Sequence, residues 1–316
     1  MRTVVTGATG LLGEEVADWL AGQEGHEVIG LCGRRDLDVV DTRAVVSFMC
    51  RAQPDLIVHC AAERDMDAAE RDPKAAYMLN TFGTWNLALA ARLCDCKMVF
   101  ISSEAVYSGE KDAPYTESDL AAPLSVYGWS KLAAEEEVKS LLERYFILRV
   151  PLLFGAKGHS DNNRILNFVR ALRSGKCVTA PIDQWTSPTY ARDVAMAIGC
   201  MTRSWAGGRR VSCCFSNGSS ERTRAQSEYG VYVVANQGKA SRYEFACKLA
   251  ELASCDGSLV RPGSREGKPA RRTKNTTLDC ARLKRDFGFA LRPWEDALSE
   301  CVQSMGLFSQ NMLRQL

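Results

Sequence analysis

Tyr127 and Lys131 lie four residues apart in Tyr127-Gly128-Trp129-Ser130-Lys131. On a helix that spacing puts both side chains on one face, where they reach a common pocket. A free phenol ionises at about pH 10, too high for easy proton exchange at neutral pH, and a nearby ammonium favours the phenolate. The pair therefore suits proton transfer to a carbonyl oxygen. Just upstream, Val99-Phe100-Ile101-Ser102-Ser103-Glu104 is an apolar strand ending in two hydroxyls and a carboxylate. Open α/β sheets bind ligand at the carboxyl ends of parallel strands, so Ser103 is placed to hydrogen-bond a substrate carbonyl. Glu104 is placed to assist proton transfer or hold the substrate, or else is a strand-end charge in solvent. His59, within Val58-His59-Cys60-Ala61-Ala62, reads as a packing or hydrogen-bonded residue, and His26 and His159 read as loop residues.

Tyr-x-x-x-Lys alone is common by chance, and its position gives it weight. It follows a glycine spacing, Gly7-Ala8-Thr9-Gly10-Leu11-Leu12-Gly13, that leaves one strand-like run and opens a helical one. Gly7 permits a tight turn, Gly10 lets the backbone approach a pyrophosphate, and Gly13 allows the helix to pack closely. The helix start offers free N–H groups and a positive dipole end to the phosphates. The end of the second strand should set the nicotinamide type, because an acid there holds a ribose 2′-hydroxyl and arginine suits a 2′-phosphate. That strand runs into Cys32-Gly33-Arg34-Arg35. Two guanidinium groups able to make bidentate phosphate contacts favour NADP(H). Asp36 and Asp38 follow closely, which leaves NAD(H) open.

Groups so far apart in the chain need a layered scaffold to meet. Strand-like runs at Thr3–Val5, Val28–Leu31, Leu56–Val58, Lys97–Ile101 and Phe146–Val150 alternate with helical ones at Leu11–Ala21, Thr42–Arg51, Asp67–Glu70, Ala75–Leu93 and from Leu124 to about Arg144. This alternation predicts a parallel sheet covered by helices on both faces. Beyond Pro151 the regularity breaks at Gly155, Gly158, Pro181 and Pro188, as expected for the start of a smaller, substrate-facing region. The segment Arg203–Glu228, rich in Ser, Arg, Gly and Cys, reads as a flexible insertion. Order resumes at Gly230–Val234, with helical runs from Arg242 to Leu252 and from Trp294.

Composition bounds the partners. The 316 residues are 46% apolar and 25% charged, with a formal net charge of +2, so no basic face announces nucleic acid. Thirteen cysteines, odd in number and without a CxxC pair, point to idle thiols in a reducing compartment rather than to disulfides or zinc. The first residues enter an apolar strand at once, and no apolar run is long enough to cross a bilayer. The expectation is a cytoplasmic protein with no metal and no membrane or nucleic-acid partner.

These motifs together resemble the dTDP-4-dehydrorhamnose reductases, a branch of the extended short-chain dehydrogenases/reductases. The likeness extends over nearly the whole chain except Arg203–Glu228. More specific than the glycine turn are Asp183-Gln184-Trp185-Thr186-Ser187-Pro188-Thr189-Tyr190, Tyr232-Val233-Val234-Ala235-Asn236, Ser241-Arg242-Tyr243-Glu244-Phe245-Ala246 and the arginine-bearing Ala270–Thr276. The resemblance implies a Rossmann-type doubly wound α/β fold. Residues 1–153 would form the NADP-binding domain, and 154–316 a smaller, partly interleaved substrate-binding region with the insertion at 203–228. It implies catalytic roles for Ser103, Tyr127 and Lys131, and substrate contacts from Ser103 and Glu104. Cofactor contacts would come from Gly7, Thr9, Gly10, Leu11, Leu12, Gly13, Arg34, Arg35, Asp38, Val39, Cys60, Ala61, Ala62, Tyr127 and Lys131. The implied reaction is hydride delivery from C4 of the nicotinamide of NADPH to the keto carbon of a nucleotide-linked sugar. Tyr127 would donate the proton, Ser103 would polarise the carbonyl and Lys131 would tune Tyr127. The family often carries Thr-Asp where this chain has Ser103-Glu104, which changes reach and leaves the sugar open.

A second resemblance belongs to a different class. Gly33-Arg34-Arg35, His59-Cys60-Ala61-Ala62-Glu63-Arg64 and Leu148-Arg149-Val150-Pro151 are similar to the regulatory β subunit of methionine adenosyltransferase, which implies an NADP-binding partner of a catalytic subunit. A nucleotide-sugar epimerase or dehydratase shares the fold but matches the late motifs poorly.

Overall fold

The computed structural model describes residues 1–158, 163–206 and 229–307. Six strands, β1 (Arg2–Thr6), β2 (Glu27–Leu31), β3 (Leu56–His59), β4 (Lys97–Ser103), β5 (Tyr145–Val150) and β6 (Gly230–Val233), form one sheet in the order β6-β5-β4-β3-β1-β2. All five pairings are parallel. Thr6 sits opposite His59, and Ser103 opposite Val150, so the strand ends carrying the candidate residues finish together at the carboxyl end of the sheet.

The longer helices are α1 (Leu11–Ala21), α2 (Thr42–Ala52), α3 (Gly83–Leu93), α4 (Val126–Leu141), α5 (Arg164–Arg173), α6 (Ala191–Thr202), α7 (Arg242–Leu252), α8 (Ala281–Phe287) and α9 (Trp294–Ser304), and two short ones, Met66–Arg71 and Pro73–Tyr77, lie between β3 and α3. One sheet face packs Val5, Val58 and Leu148 against Val16 and Leu20 of α1 and Val194 and Ile198 of α6. The other packs Val4, Ile57 and Ile147 against Met49 of α2, Leu87 of α3 and Val138 of α4. With both faces covered, β3 and β5 are buried at consecutive rather than alternate positions. After β2 the chain passes back across β1 to reach β3, and such a reversal opens a crevice at the carboxyl ends of the strands.

A second apolar cluster joins α5, α7 and α9 through Val169, Leu249 and Leu298, with Phe154 stacked on Tyr190. Short ladders pair Leu153–Phe154 with Thr189–Tyr190, Val178–Pro181 with Val260–Gly263, and Trp185–Thr186 with both Ala240–Ser241 and Asn275–Thr276. The later half also returns to the sheet, supplying β6 and α6.

The stretch between Pro151 and Arg203, where the regularity was expected to break, holds the two helices α5 and α6. Ala191–Thr202 is buried at nearly every position, so it shows no polar face and no helical stripe. Gly199 lies where a Cβ would meet the Trp19 ring, which lets α6 approach α1 closely. Asn163 caps α5 by accepting from the Leu166 N–H at 3.1 Å. Of the expected insertion only 203–206 is described, a short turn whose Trp205 stacks on Phe146 at 4.6 Å. His159 and residues 207–228 lie outside the described residues.

Candidate active site

The crevice is a cavity of about 970 Å³ running along the carboxyl ends of β1, β3, β4 and β5. Gly7, with φ +70°, makes the turn out of β1. A Cβ there would come 2.8 Å from the Ala61 nitrogen, and one on Gly13 would overlap the Gly7 carbonyl oxygen. The glycines thus let three backbone segments lie together: the turn, the start of α1 and the Cys60–Ala62 stretch after β3. Gly10 occupies the N-cap of α1 with no side chain to take up the free N–H groups. Thr9, Gly10, Leu11, Leu12 and Gly13 all line the cavity, as do Cys60, Ala61 and Ala62.

Arg34, Asp38 and Val39 line the same wall, whereas Arg35 is not among the lining residues. The Arg34 side chain is 77% exposed, with its Nε 4.0 Å from Asp38. Asp36 turns back on its own loop and accepts from the Cys32 N–H at 2.6 Å. Val39 is fixed from behind by Asn86, whose amide donates to the Val39 carbonyl at 2.8 Å.

At the other end of the cavity stand Ser103, Glu104, Tyr127 and Lys131. Ser125 starts α4 by accepting from the Gly128 N–H at 3.1 Å. A Cβ on Gly128 would overlap the Ala105 carbonyl oxygen, so the first turn of α4 lies directly against the end of β4. Tyr127 is hydrogen-bonded to Ser103. Burial pushes the Tyr127 phenol up, against the Ser103 hydrogen bond, with the Glu104 charge adding to the rise. The phenol is therefore held protonated, opposite to the lowering expected of an adjacent ammonium. The reason is the burial of the phenol itself. Lys131 is buried as well, 2% exposed with Nζ 4.1 Å from the Phe100 ring centroid. Burial drives Lys131 down to about 7, against Glu135 one turn further along α4 and the Cys60 thiol.

Glu135 is fully buried and accepts from Arg149 Nε at 2.9 Å, Arg149 Nη2 at 2.7 Å and Ser102 Oγ at 2.5 Å. Arg149 Nη1 donates to the Tyr107 hydroxyl at 2.9 Å. A bidentate ion pair thus ties α4, β4 and β5 together beneath the site. Glu104 is not a solvent charge: burial lifts it to about 7, against the Arg242 charge and the Thr186 and Thr276 hydroxyls. Thr186 Oγ1 donates to it at 2.6 Å. His59 is the packing residue expected, held between Thr6 and Thr84 at 2.7 and 3.1 Å and driven down to about 3 by burial and the Lys131 charge. Burial pushes the Cys60 thiol up to about 12.

Among structures and sequences of known proteins, the chain matches the RmlD substrate binding domain over residues 1–307. It belongs to the RmlD substrate-binding family. It is 30% identical to the dTDP-4-dehydrorhamnose reductase of Mycolicibacterium smegmatis over 96% of this chain and 86% of that protein. It is 32% identical to the methionine adenosyltransferase 2 subunit beta of Rattus norvegicus over 90% of this chain and 81% of that protein. In solved structures, a dTDP-4-dehydrorhamnose reductase from Clostridium acetobutylicum superposes with a TM-score of 0.85 at 29% identity, over 97% of this chain and 100% of that one. The Bacillus anthracis dTDP-4-dehydrorhamnose reductase in complex with NADP gives 0.83 at 31%, over 96% and 99%.

This RmlD-family chain also lines its cavity with residues to which sequence reasoning gave no role. Arg64, Arg164, Arg242 and Arg272 all face it, and Arg164 is pushed down by burial and then by Arg64. Burial lowers Arg242 to about 10, with Arg164 and Arg272 adding to the fall against Glu104. Arg272 pairs with Asp67 at 2.9 Å. Such a crowd of like charges is a ready seat for a polyanion. Asn80 was missed as well. It lies on a π-helical turn, Met78–Phe82, holds both the N–H and the carbonyl of Glu63, and donates to Ser130 Oγ at 2.9 Å, clamping the loop after β3 to α4. The sequence signals for the arginines were the runs that hold Arg64, Arg242 and Arg272, namely His59–Arg64, Ser241–Ala246 and Ala270–Thr276; Arg164 lies in none of them.

Proposed function

We propose that this chain is an NADPH-dependent reductase of a nucleotide-linked 4-keto sugar, acting in the manner of dTDP-4-dehydrorhamnose reductase in dTDP-rhamnose biosynthesis. The observation that carries the proposal is the meeting of Ser103, Tyr127 and Lys131 in the same cavity as the glycine turn, within a chain whose relatives include enzymes of that name. Thr9 to Gly13 and the open start of α1 are assigned to the dinucleotide phosphates, Asp38 and Val39 to the adenine side, and Cys60–Ala62 to the backbone wall. Arg34, exposed and on the wall, would take a 2′-phosphate, while Asp36 is occupied by its own turn. NADP in the Bacillus anthracis relative supports the same choice, with NAD(H) as the alternative.

When bound, NADPH would supply the hydride to the keto carbon. Tyr127, kept protonated by burial, donates its proton to the carbonyl oxygen that Ser103 polarises. Lys131, near 7, exchanges protons readily at neutral pH, and in its ammonium form it balances the negative charge left on the Tyr127 oxygen. Glu104, with Thr186, is assigned to the sugar, and the arginine crowd to its diphosphate. We keep residues 1–153 as the cofactor-binding part and 154–316 as the substrate-facing part. A cytoplasmic setting is proposed on the free thiols of all eleven described cysteines, together with the lack of any described helix long and apolar enough to cross a membrane.

The second reading, a regulatory β subunit bound to a methionine adenosyltransferase catalytic subunit, is favoured by the 32% identity to proteins of that name. Epimerases and dehydratases, at 17–21% identity, share the fold alone. The test is to add dTDP-4-dehydrorhamnose and NADPH and follow NADPH consumption. Wild type should turn over, and Tyr127→Phe should lose about 10²–10⁴-fold in kcat with NADPH affinity kept. No turnover on any nucleotide 4-keto sugar, with co-purification of a methionine adenosyltransferase, would replace the first reading by the second.

A further inference from the structure

On the outer side of α2 and α3, away from the cavity, two thiols face each other. Cys50 is exposed in the last turn of α2, Cys94 is the C-cap residue of α3, and their sulfurs are 3.8 Å apart across 44 positions of chain. We propose that Cys50 and Cys94 form an oxidation site, which hydroperoxides or small disulfides convert into a reversible cross-link clasping α2 to α3.

The scaffold for the bond already exists. Val45 and Met49 of α2 share a core with Leu87, Ala90 and Ala91 of α3, so the helices are packed rigidly beneath the two sulfurs. At the opposite end of the same pair of helices, Thr42 Oγ1 donates to Asn86 Oδ1 at 2.8 Å. Closing the sulfurs to a bond of about 2.05 Å needs side-chain rotation on fixed helices rather than a domain movement. With a hydroperoxide, the exposed Cys50 thiolate attacks the O–O bond, giving a sulfenic acid and releasing the alcohol or water. The Cys94 sulfur then attacks Cys50, expels the sulfenic oxygen as water and closes the disulfide. In sum, two thiols and one hydroperoxide give one disulfide, one alcohol and one water. Burial, with Cys50 beside it, pushes Cys94 up to about 11, so Cys94 stays a thiol at neutral pH and acts second.

The cross-link would matter to the cavity through Val39. Asn86 of α3 holds the Val39 carbonyl, Gly83 of α3 packs against the Val39 side chain, and α2 starts three residues later, so this wall of the cavity rests on the clasped helices. Cysteines that react only on contact with peroxide or glutathione disulfide fit a compartment that otherwise keeps thiols reduced.

The test uses the full chain, reduced, freed of reductant and treated with hydrogen peroxide or glutathione disulfide, followed by alkylation and tryptic mapping. Cleavage isolates Cys50 in residues 44–51 and Cys94 with Cys96 in residues 93–97. The expected product is the joined pair of these peptides, with fragmentation placing the link on Cys94, reversal by dithiothreitol, and a rise in Tm on oxidation that Cys50→Ser abolishes. The exposed Cys32 and Cys177 serve as accessible thiols on the same molecule. Full alkylation of Cys50 and Cys94 after Cys32 and Cys177 have been oxidised would overturn the proposal. So would a link between Cys94 and Cys96, or between either partner and any other cysteine.

Discussion

Glu104→Gln removes a carboxylate from the cavity without touching the phenol and ammonium beside it. Glu104 ionises at its ordinary value of 4.5 in the unfolded chain and near 7 in the folded one, chiefly because burial penalises the charged form. Over that window the folded state holds a proton that the unfolded state has released. Stability is therefore highest below about 4.5, falls as pH rises toward 7, and falls no further from this group above it. At about 1.36 kcal/mol per pKa unit, Glu104 costs folding about 2–3 kcal/mol between about pH 5 and about pH 8. Glutamine does not titrate, so the variant should gain that amount relative to wild type over the same interval. A fixed penalty for leaving Arg242 without its partner enters at both pH values and drops out of the comparison. Urea unfolding of both proteins at about pH 5 and about pH 8 measures it, with equal m-values as the control. A wild-type-to-variant difference that is the same at both pH values, or that moves in wild type's favour on going to about pH 8, refutes the reasoning.

Arg34→Ala should weaken NADPH binding by about tenfold, the lower end for a charge-assisted phosphate contact at an exposed position, and leave NADH nearly unchanged; calorimetric titration of both cofactors decides it. Arg35→Ala should do less, because Arg35 is not on the cavity wall. Gly13→Ala forces a methyl group onto the Gly7 carbonyl and should cost about 1–3 kcal/mol of stability, with loss of NADPH affinity seen in the same titration. Glu135→Ala leaves the Arg149 guanidinium buried and unpaired and should cost about 3–5 kcal/mol in denaturant unfolding, whereas Glu135→Leu with Arg149→Met should recover most of it. A double variant no more stable than the single one would show that the pair does not act as a unit.

The glycine turn, the strand–helix alternation of the first half and the Tyr127–Lys131 spacing were legible in the sequence because each is local. A turn needs its glycine at a fixed place, and a helix fixes which side chains share a face whatever surrounds it. Ser125 and Gly128 then set where α4 begins, within a few residues of the phenol they position. The helix Ala191–Thr202 was not legible for the opposite reason. Buried at nearly every position, it has no polar face, and only α1 and the sheet explain its composition. The gathering of Arg64, Arg164, Arg242 and Arg272 was equally out of reach, since they come from four separate stretches of chain and share only the cavity they face.

By itself, then, the order of residues determined the glycine turn, the parallel sheet and the Tyr127–Lys131 pair on one helix face, all of which rest on bonded neighbours and short periodicities. The tertiary structure alone decided the charge states: Tyr127 held up, Lys131 drawn down and Glu104 lifted toward neutrality. Those depend on how much water is stripped from each group and which charges remain beside it, and both are fixed by segments that meet only when the chain has folded.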